Sequence, residues 1–331
     1  MHFTITHPMH SHPYNPQLVS GDGIAAVAAA AEAAGFGGFG LTDHPAPTQR
    51  WLDAGGHDAL DPFVTLGFAA ARTTTLRLIP NIVVLPYRNP FVVAKSGASL
   101  DLLSGGRFTL AVGVGYLKRE FAALGVDYEQ RAELFDEALD VIRAIWTTDD
   151  VSYEGKHFTA TGITAHPRPV SEPHPPIWVG GNTGAARRRV AHKGDGWCPF
   201  PAPPALAQTA RTASIDSVEV LADGIADLRR RVDEAGRDWS KFDVVFSNFD
   251  GGSPADDAFN ADAYLTGMEK LAALGVTWLQ VGLPATAWRT SSTPSSDSRP
   301  WSSTPAEIEC AADKPLQDSV EMSRSLSDHG I

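Results

Sequence analysis

The chain has 331 residues, of which 43% are hydrophobic and 20% charged, and its formal net charge is −12 at pH 7. This length and composition describe a soluble globular protein with a large buried core. The acidic balance argues against a nucleic-acid binder, because the phosphate backbone would repel such a surface.

The compartment can be predicted from what the sequence lacks. No apolar run reaches the length of a membrane span, and the first ten residues have neither the basic nor the apolar region of a secretion signal. The two cysteines, Cys198 and Cys310, form no disulfide framework and fit a reducing cytosol. We therefore expect a cytoplasmic protein without a membrane partner.

Taken in order, the chain alternates between strand and helix patterns. Apolar runs predict eight strands, at 2–6, 38–42, 76–85, 107–115, 175–181, 195–200, 243–248 and 277–283. Helical spacing predicts helices between them, at 23–36, 61–74, 89–106, 128–146, 185–193, 218–236 and 263–275. A short β-hairpin insertion is predicted near 150–160.

Eight βα units with continuous apolar strands predict a closed (β/α)₈ TIM barrel with small insertions. The alternative is an open doubly wound sheet. A complete G-x-G-x-x-G after the first strand would favour that sheet, and the sequence has none there. In a barrel, binding and catalytic groups gather at the C-terminal ends of the strands.

The second strand ends in LTDHPAP, which places Asp43 and His44 at the barrel mouth. An Asp and a His at this position are candidates for ligand contact and proton transfer. Ordinary turn capping by Asp43, with His44 on the rim, explains the same residues.

Three histidines, His7, His10 and His12, follow the first strand. No spacing such as H-E-x-x-H accompanies them, so we predict a substrate-facing loop and no metal site. The third strand ends in the apolar NIVVLP, which suits a wall against a flat aromatic ring.

Glycines mark the ends of two further strands. Gly113 and Gly115 would let a ligand approach the backbone of the fourth strand, although tight packing explains them equally well. After the next strand, Gly180-Gly181-Asn182-Thr183 opens a helix, whose free N–H groups form an anion site. Arg187 to Arg189 add positive charge there, and we predict a phosphate-binding turn.

Four passages give the sequence a family resemblance. They are LTDHPAP, RNPFVVAKSGASLDLLSGGRFTLAVGVGY, EFAALGVDYEQRAELFDEALDVIRAIW and PHPPIWVGGNTGAARRRVAHKGDGW. To about residue 284, the chain resembles the bacterial luciferase-like barrel superfamily, specifically its coenzyme F420 (deazaflavin)-dependent oxidoreductases. SLDLLSGGRF is specific to the superfamily but does not separate deazaflavin users from FMN users.

The resemblance implies a dimeric barrel with the cofactor ring across the strand ends. It implies a non-proline cis peptide in the third strand, at Ile82–Val83. Asp43 matches the carboxylate that contacts the ring, and His44 matches an acid or proton relay. The residues implied or predicted to bind the cofactor are Asp43, Ile82, Val83, Leu85, Val114, Gly115, Gly180, Gly181, Asn182 and Thr183.

The sequence departs from the sugar-phosphate dehydrogenase branch at one position. That branch has a glutamate directly after the fourth-strand Gly-x-Gly, and this chain has Tyr116. Glucose-6-phosphate is therefore not the expected substrate, although Tyr116 can still donate a proton. Trp51 and His57, with His10 and His12, are candidates for the substrate side, and loop packing explains Trp51 and His57 equally well.

Three functions fit these residues. The first is an F420-dependent oxidoreductase that transfers a hydride to or from a small organic substrate. The second is an FMN-dependent monooxygenase of the same fold, which would consume oxygen. The third is a cofactor-binding barrel without turnover.

The end of the chain breaks the alternating pattern. We divide the sequence into a barrel domain, 1–285, and a Ser/Thr/Pro-rich tail, 286–331, which predicts disorder where the eighth helix is expected. GC-rich codons for 289–304, read two nucleotides later, can encode an apolar-periodic helix. We therefore predict a frameshifted tail. A genuine linker with a short terminal helix is the alternative.

Overall fold

A computed structural model describes residues 1–9, 11–254 and 257–283 of the chain. Nine parallel strand segments occupy the eight predicted strand positions and form a nearly closed barrel sheet, in the order β3-β2-β1-β11-β10-β9-β8-β5-β4. Their bounds are β1 His2–Thr6, β2 Gly38–Leu41, β3 Arg77–Pro80, β4 Val83–Val84, β5 Leu110–Gly113, β8 Ile177–Gly180, β9 Gly196–Cys198, β10 Asp243–Phe246 and β11 Trp278–Val281. The predicted (β/α)₈ barrel is confirmed.

The helices cover the outside of the sheet, and a two-stranded insertion follows the sixth helix. The insertion pairs β6 (Val151–Glu154) with β7 (Thr159–Ile163) antiparallel, as predicted. The helices are α1 Gly21–Ala33, α2 Gln49–Asp53, α3 Pro62–Ala70, α4 Pro90–Ser104, α5 Lys118–Ala123, α6 Arg131–Thr147, α7 Gly184–Lys193, α8 Pro204–Thr209, α9 Val218–Glu234 and α10 Ala261–Leu274. Three of them, α2, α5 and α8, are short helices that the sequence analysis did not predict. They lie in loops that follow strand C-terminal ends.

The third strand position is split into β3 and β4. Pro80 is the last residue paired with β2, and Val83 is the first paired with β5. The chain therefore changes partner across 81–82, and the cis peptide bond is Asn81–Ile82. The prediction of a cis bond at Ile82–Val83 is wrong by one residue, because Val83 already belongs to the ladder with β5. Leu78 and Phe108 form the parallel bridge that closes the barrel.

The SLDLLSGGRF passage lies at the closed end of the barrel, where the strands begin. Arg107 donates to the carbonyl oxygens of Ala70, Thr73 and Leu76 at 2.8–3.0 Å and so caps the end of α3. Asp101 is fully buried and accepts hydrogen bonds from residues 170 and 171. This motif therefore stabilises the fold away from the mouth.

Some predictions concern residues outside the described part of the chain. The tail at 286–331 and its frameshift hypothesis lie there, as does the candidate substrate residue His10. Among the residues that are described, no helix combines the length and apolarity that a membrane crossing requires.

Candidate functional site

The open end of the barrel contains a cleft of about 300 Å³ at the C-terminal ends of the strands. Its residues come from β4, β5, β8, β9 and β11 and from segments that follow β2 and several of the other strands. They include Thr42, Asp43, His44, Asn81, Ile82, Val84, Val114, Gly115, Tyr116, Arg131, Val179, Gly180, Gly181, Thr183, Arg189, Cys198, Arg211 and Thr212. Most of the predicted catalytic and cofactor residues thus lie in one cavity.

Asp43 is held by the segment that follows the split in the third strand. Its carboxylate accepts a hydrogen bond from the Val84 N–H at 3.0 Å and two from Arg88, at 2.8 and 3.3 Å. Burial raises the pKa of Asp43, and the Arg88 guanidinium opposes that rise. Asp43 therefore fixes the backbone of the cleft wall through Val84 and places a carboxyl group at the cleft.

His44 is paired with a glutamate that the sequence analysis did not identify. Its Nδ1 lies 3.2 Å from Oε2 of Glu120, which α5 positions with no solvent exposure. Glu120 also accepts hydrogen bonds from the Ala46 N–H at 2.9 Å and the Tyr87 hydroxyl at 2.8 Å. His44 lines the cleft, and Glu120 lies behind it.

The charge of Glu120 determines which ring nitrogen of His44 carries the proton. Burial alone would raise the pKa of Glu120, yet the hydrogen bonds from His44, Ala46 and Tyr87 together lower it. An ionised carboxylate only accepts hydrogen bonds, so the Nδ1 atom of His44 carries a proton. In the neutral ring, Nε2 is then the atom that can accept a proton from a ligand.

Aromatic side chains surround His44. The ring centroids of Trp51, His57 and Tyr116 lie 4.7, 5.2 and 6.1 Å from that of His44. Burial and the charge of Glu120 raise the pKa of Tyr116, so its hydroxyl is a proton-bearing group at neutral pH. Tyr116 lines the cleft, whereas Trp51 and His57 pack against the imidazole outside the cleft lining.

The cleft floor is apolar and depends on Ile82. A Cβ atom on Gly113 or Gly180 would lie 2.1 or 2.8 Å from the Cδ1 atom of Ile82, so both glycines make room for this side chain. Close packing thus explains Gly113, one of the two explanations left open by the sequence. Val83 and Leu85 are fully buried in the core and do not line the cleft.

The predicted phosphate turn lies beside the floor. Gly181 has a φ of 107°, and Thr183 is the N-cap of α7. Asn182 is only 1% exposed, and its side-chain amide bonds to the backbone of Phe200 and Ala213. Asn182 is therefore a buried residue that holds the turn by hydrogen bonds. Its neighbours Gly180, Gly181 and Thr183 line the cleft.

The arginines that face the cleft are only partly those predicted. Arg187 is paired with Asp227 at 2.7 Å, and Arg188 is exposed. Arg189 does line the cleft, together with Arg131 and Arg211, which the sequence analysis missed. Both missed residues belong to segments that follow other barrel strands and reach the turn only in the folded chain.

Two of the histidines that follow the first strand hold the first loop in place. The Nε2 atom of His7 lies 2.8 Å from the carbonyl oxygen of Leu18, and His12 pairs with Asp58 at 2.9 Å. Over the described residues, no three His, Cys, Asp or Glu side chains are grouped as a metal site would require. Cys198 lines the cleft, but burial raises the pKa of its thiol, which argues against a thiolate ligand or nucleophile.

The residues fit a flavin-like group, which the fold implies. Ile82, Val84, Val114 and Val179 offer an apolar surface for a planar ring. The Gly180–Thr183 turn and the arginines provide N–H groups and positive charge for an anionic side chain. The donor set thus matches a ring with a phosphate tail.

Comparison with known proteins gives the family. Residues 1–263 match the model described as luciferase-like monooxygenase. The chain belongs to this family, and the resemblance stated from the sequence motifs is confirmed. Two solved structures illustrate the shared fold. They are the monooxygenase RslO1 from Streptomyces bottropensis and an F420-dependent secondary alcohol dehydrogenase in complex with an F420-acetone adduct.

The likeness to these two structures extends over most of each chain. RslO1 is 22% identical with a TM-score of 0.71, and 86% of this chain and 94% of that chain are covered. The alcohol dehydrogenase is 19% identical with a TM-score of 0.66, with 85% and 92% covered. At these identities the likeness shows the fold alone.

Two relatives of assigned activity use different cofactors. An F420-dependent hydroxymycolic acid dehydrogenase of Mycobacterium tuberculosis is 31% identical over 179 residues, which are 53% of this chain and 48% of the relative. An FMNH(2)-dependent dimethylsulfone monooxygenase of Pseudomonas putida is 32% identical over 150 residues, 44% and 41%. The family therefore comprises oxidoreductases that use F420 or FMN.

Proposed function

We propose that this protein is a coenzyme F420-dependent oxidoreductase that transfers a hydride between the deazaflavin and an uncharged alcohol or carbonyl compound. The observation that carries the proposal is the His44–Glu120 pair, with Nδ1 and Oε2 3.2 Å apart and His44 at the wall of the cleft. Alcohol oxidation releases a proton from oxygen together with the hydride from carbon, so it needs a placed proton acceptor.

Each residue of the site has a separate role in the proposed reaction. When bound, the deazaflavin supplies the hydride-accepting and hydride-donating carbon. Nε2 of His44 takes the proton from a substrate hydroxyl, or returns it to a carbonyl oxygen. The buried Glu120 carboxylate holds the ring orientation and stabilises the imidazolium. Tyr116 donates a hydrogen bond to the substrate oxygen.

The surroundings of His44 support an uncharged substrate. Trp51, His57 and Tyr116 are its ring neighbours, and the arginines of the cleft lie with the phosphate turn. A sugar phosphate would need a cation beside His44. An oxygen-activating flavin enzyme does not need a proton acceptor matched to a substrate hydroxyl, and this favours the deazaflavin over FMN.

Anaerobic incubation of the protein with oxidised F420 and a panel of secondary alcohols tests the proposal. We expect loss of the deazaflavin absorbance and formation of the ketone. His44→Gln should lower turnover by about 10²–10⁴ and leave the cofactor Kd within a few-fold. His166→Gln, at a 61% exposed histidine that follows the hairpin insertion, is the matched control. Tighter FMN binding with oxygen consumption would establish the monooxygenase alternative, and cofactor binding without turnover would establish the non-catalytic one.

We also propose that the protein is a homodimer. The adjacent helices α3 and α4 expose Val64 (65%), Phe68 (50%), Val92 (63%) and Leu103 (82%), an apolar face that a second copy would cover. The double variant Val64→Glu/Leu103→Glu should have the 35.3 kDa mass of a monomer by light scattering. Val220→Glu on α9 is the control. A parent protein that is already monomeric would refute the dimer.

A further inference from the structure

The reaction proposed above leaves a proton on His44 that has to reach solvent. When an alcohol is oxidised, its carbon–hydrogen bond breaks and the hydride, with two electrons, passes to the deazaflavin. The hydroxyl proton passes to Nε2 of His44. The side chain of His44 is only 10% exposed. With ligands in the cleft, the route out of the imidazole runs through the groups that pack against it.

Four side chains in contact with His44 differ in what they can do with this proton. Glu120 lies behind the ring without solvent exposure. Tyr116 lines the cleft, so a bound ligand covers it together with His44. The indole of Trp51 is a hydrogen-bond donor only. An imidazole both accepts and releases a proton near neutral pH, so His57 is the neighbour suited to pass the proton on.

His57 stands edge-on to His44. The two ring centroids are 5.2 Å apart and the ring planes meet at 71°. At this separation a proton can pass between the rings directly or through one water. Nδ1 of His57 lies 3.2 Å from the carbonyl oxygen of Asp58, which only accepts hydrogen bonds, so Nδ1 carries the proton of the neutral ring. Nε2 of His57 is then the atom that takes up a proton from His44.

The residue that follows His57 belongs to a partly exposed ion pair. Nδ1 of His12 lies 2.9 Å from Oδ2 of Asp58, and the two side chains are 26% and 22% exposed. The Asp58 carboxylate also accepts a hydrogen bond from the Tyr14 N–H at 3.0 Å, which holds the two loops together. His57 itself is half-buried. It therefore lies between the nearly buried His44 and residues in contact with solvent.

We propose that His57 relays the proton between His44 and solvent, outward in alcohol oxidation and inward in carbonyl reduction. This inference rests on the proposed F420-dependent function, in which His44 takes the proton. In the outward direction, the proton moves from Nε2 of His44 to Nε2 of His57. His57 then gives up a proton to water, and both rings are neutral again before the next alcohol binds.

Stopped-flow experiments follow the two products of one turnover separately. The protein with oxidised F420 is mixed with a secondary alcohol slightly above neutral pH in dilute buffer. Deazaflavin absorbance reports the hydride, and a pH-indicator dye reports the proton. In the parent, both signals should have the same rate. In His57→Gln and His57→Phe, the first-turnover hydride signal should stay within about twofold of the parent, whereas the proton signal and kcat should fall roughly tenfold or more.

Rescue separates a relay from a packing role. Added imidazole should restore the proton signal and kcat of both His57 variants, because a diffusible base replaces the missing ring. His57→Phe keeps an aromatic ring beside His44, so a loss caused only by packing would be smaller in this variant than in His57→Gln and would not respond to imidazole. His166→Gln, at a 61% exposed histidine, should match the parent in both signals.

The outcomes distinguish the relay from the reaction that it serves. Equal rates of the hydride and proton signals in the His57 variants, or a slow proton signal that imidazole does not restore, would overturn the relay alone. The absence of a hydride signal with F420 in the parent would overturn the proposed function and the relay with it.

Discussion

Glu120→Gln tests whether the carboxylate behind His44 acts in the reaction. The carboxylate accepts three hydrogen bonds, from the Ala46 N–H, the Tyr87 hydroxyl and Nδ1 of His44. A carboxamide keeps one oxygen and directs an NH₂ group at a donor. Charge-assisted hydrogen bonds contribute about 1.5–3 kcal/mol. Since about 1.4 kcal/mol is tenfold in rate, turnover should fall roughly 10- to 100-fold.

The assay separates chemistry from folding. Turnover is measured anaerobically with F420 and the best alcohol found, and the cofactor Kd is measured by fluorescence. The Kd should stay within a few-fold, because Glu120 does not line the cleft. Urea unfolding should show a loss of about 1–3 kcal/mol, the effect of one unsatisfied buried donor. In ¹⁵N-histidine spectra, the proton on Nδ1 of His44 should move to Nε2 in part of the molecules.

Glu129→Gln provides the control for this experiment. It makes the same chemical change nine residues along the chain, at a side chain that is 72% exposed and bound to Lys118. Its turnover and histidine spectra should match those of the parent. The reasoning is refuted if Glu120→Gln loses stability but keeps the parent's turnover and His44 tautomer, because Glu120 would then be purely structural.

Three further predictions concern Glu120 again and two more carboxylates, Asp43 and Glu32. Tyr87→Phe removes a hydrogen bond to ionised Glu120, so the pKa of Glu120 should rise by about one unit in a titration followed by ¹³C-carboxyl NMR; an unchanged titration of Glu120 would contradict this. Asp43→Asn loses its charge toward Arg88 and should weaken cofactor binding about tenfold by titration, and unchanged affinity would exclude Asp43 from cofactor positioning. Backbone hydrogen bonds from residues 74–76 lower the pKa of Glu32 to about 2 against the effect of burial, so its stabilisation is present above pH 4.5 and is lost as pH falls toward 2. Glu32→Gln should therefore be about 1–2 kcal/mol less stable at pH 7, after allowance for partial exposure, and the difference from the parent should vanish near pH 2 in urea titrations.

The barrel could be predicted because its pattern repeats. Each apolar run ends at the same edge of the sheet. The ends of β2, β5 and β8 therefore bring Asp43, His44, Tyr116 and Gly180 into one cleft. The cis bond was predicted one residue late because the pairing change from β2 to β5 is a property of the register. The local sequence does not indicate which neighbouring strand a residue will pair with.

The partners of the site residues could not be predicted in the same way. Glu120 lies in a short helix, 76 residues from His44, and its carboxylate reaches the imidazole only through the packing of α5 on the barrel mouth. Arg131 and Arg211 are likewise brought together by the ring of Tyr128. The available local signal was the position of Glu120 beside the apolar residues of REFAALG, since a carboxylate that such residues bury is seldom without a partner.

The position of SLDLLSGGRF at the closed end of the barrel has a practical consequence for engineering. Arg107 and Asp101 tie together α3, α4 and the segment at 170–171, and none of these bonds extends to the mouth. The segments that carry Glu120 and Arg211 can therefore be exchanged for those of an FMN-using relative without breaking the hydrogen bonds of Arg107 and Asp101. Chimeras of this kind would test whether the segments at the mouth determine the choice between F420 and FMN, while Arg107 and Asp101 keep their hydrogen bonds.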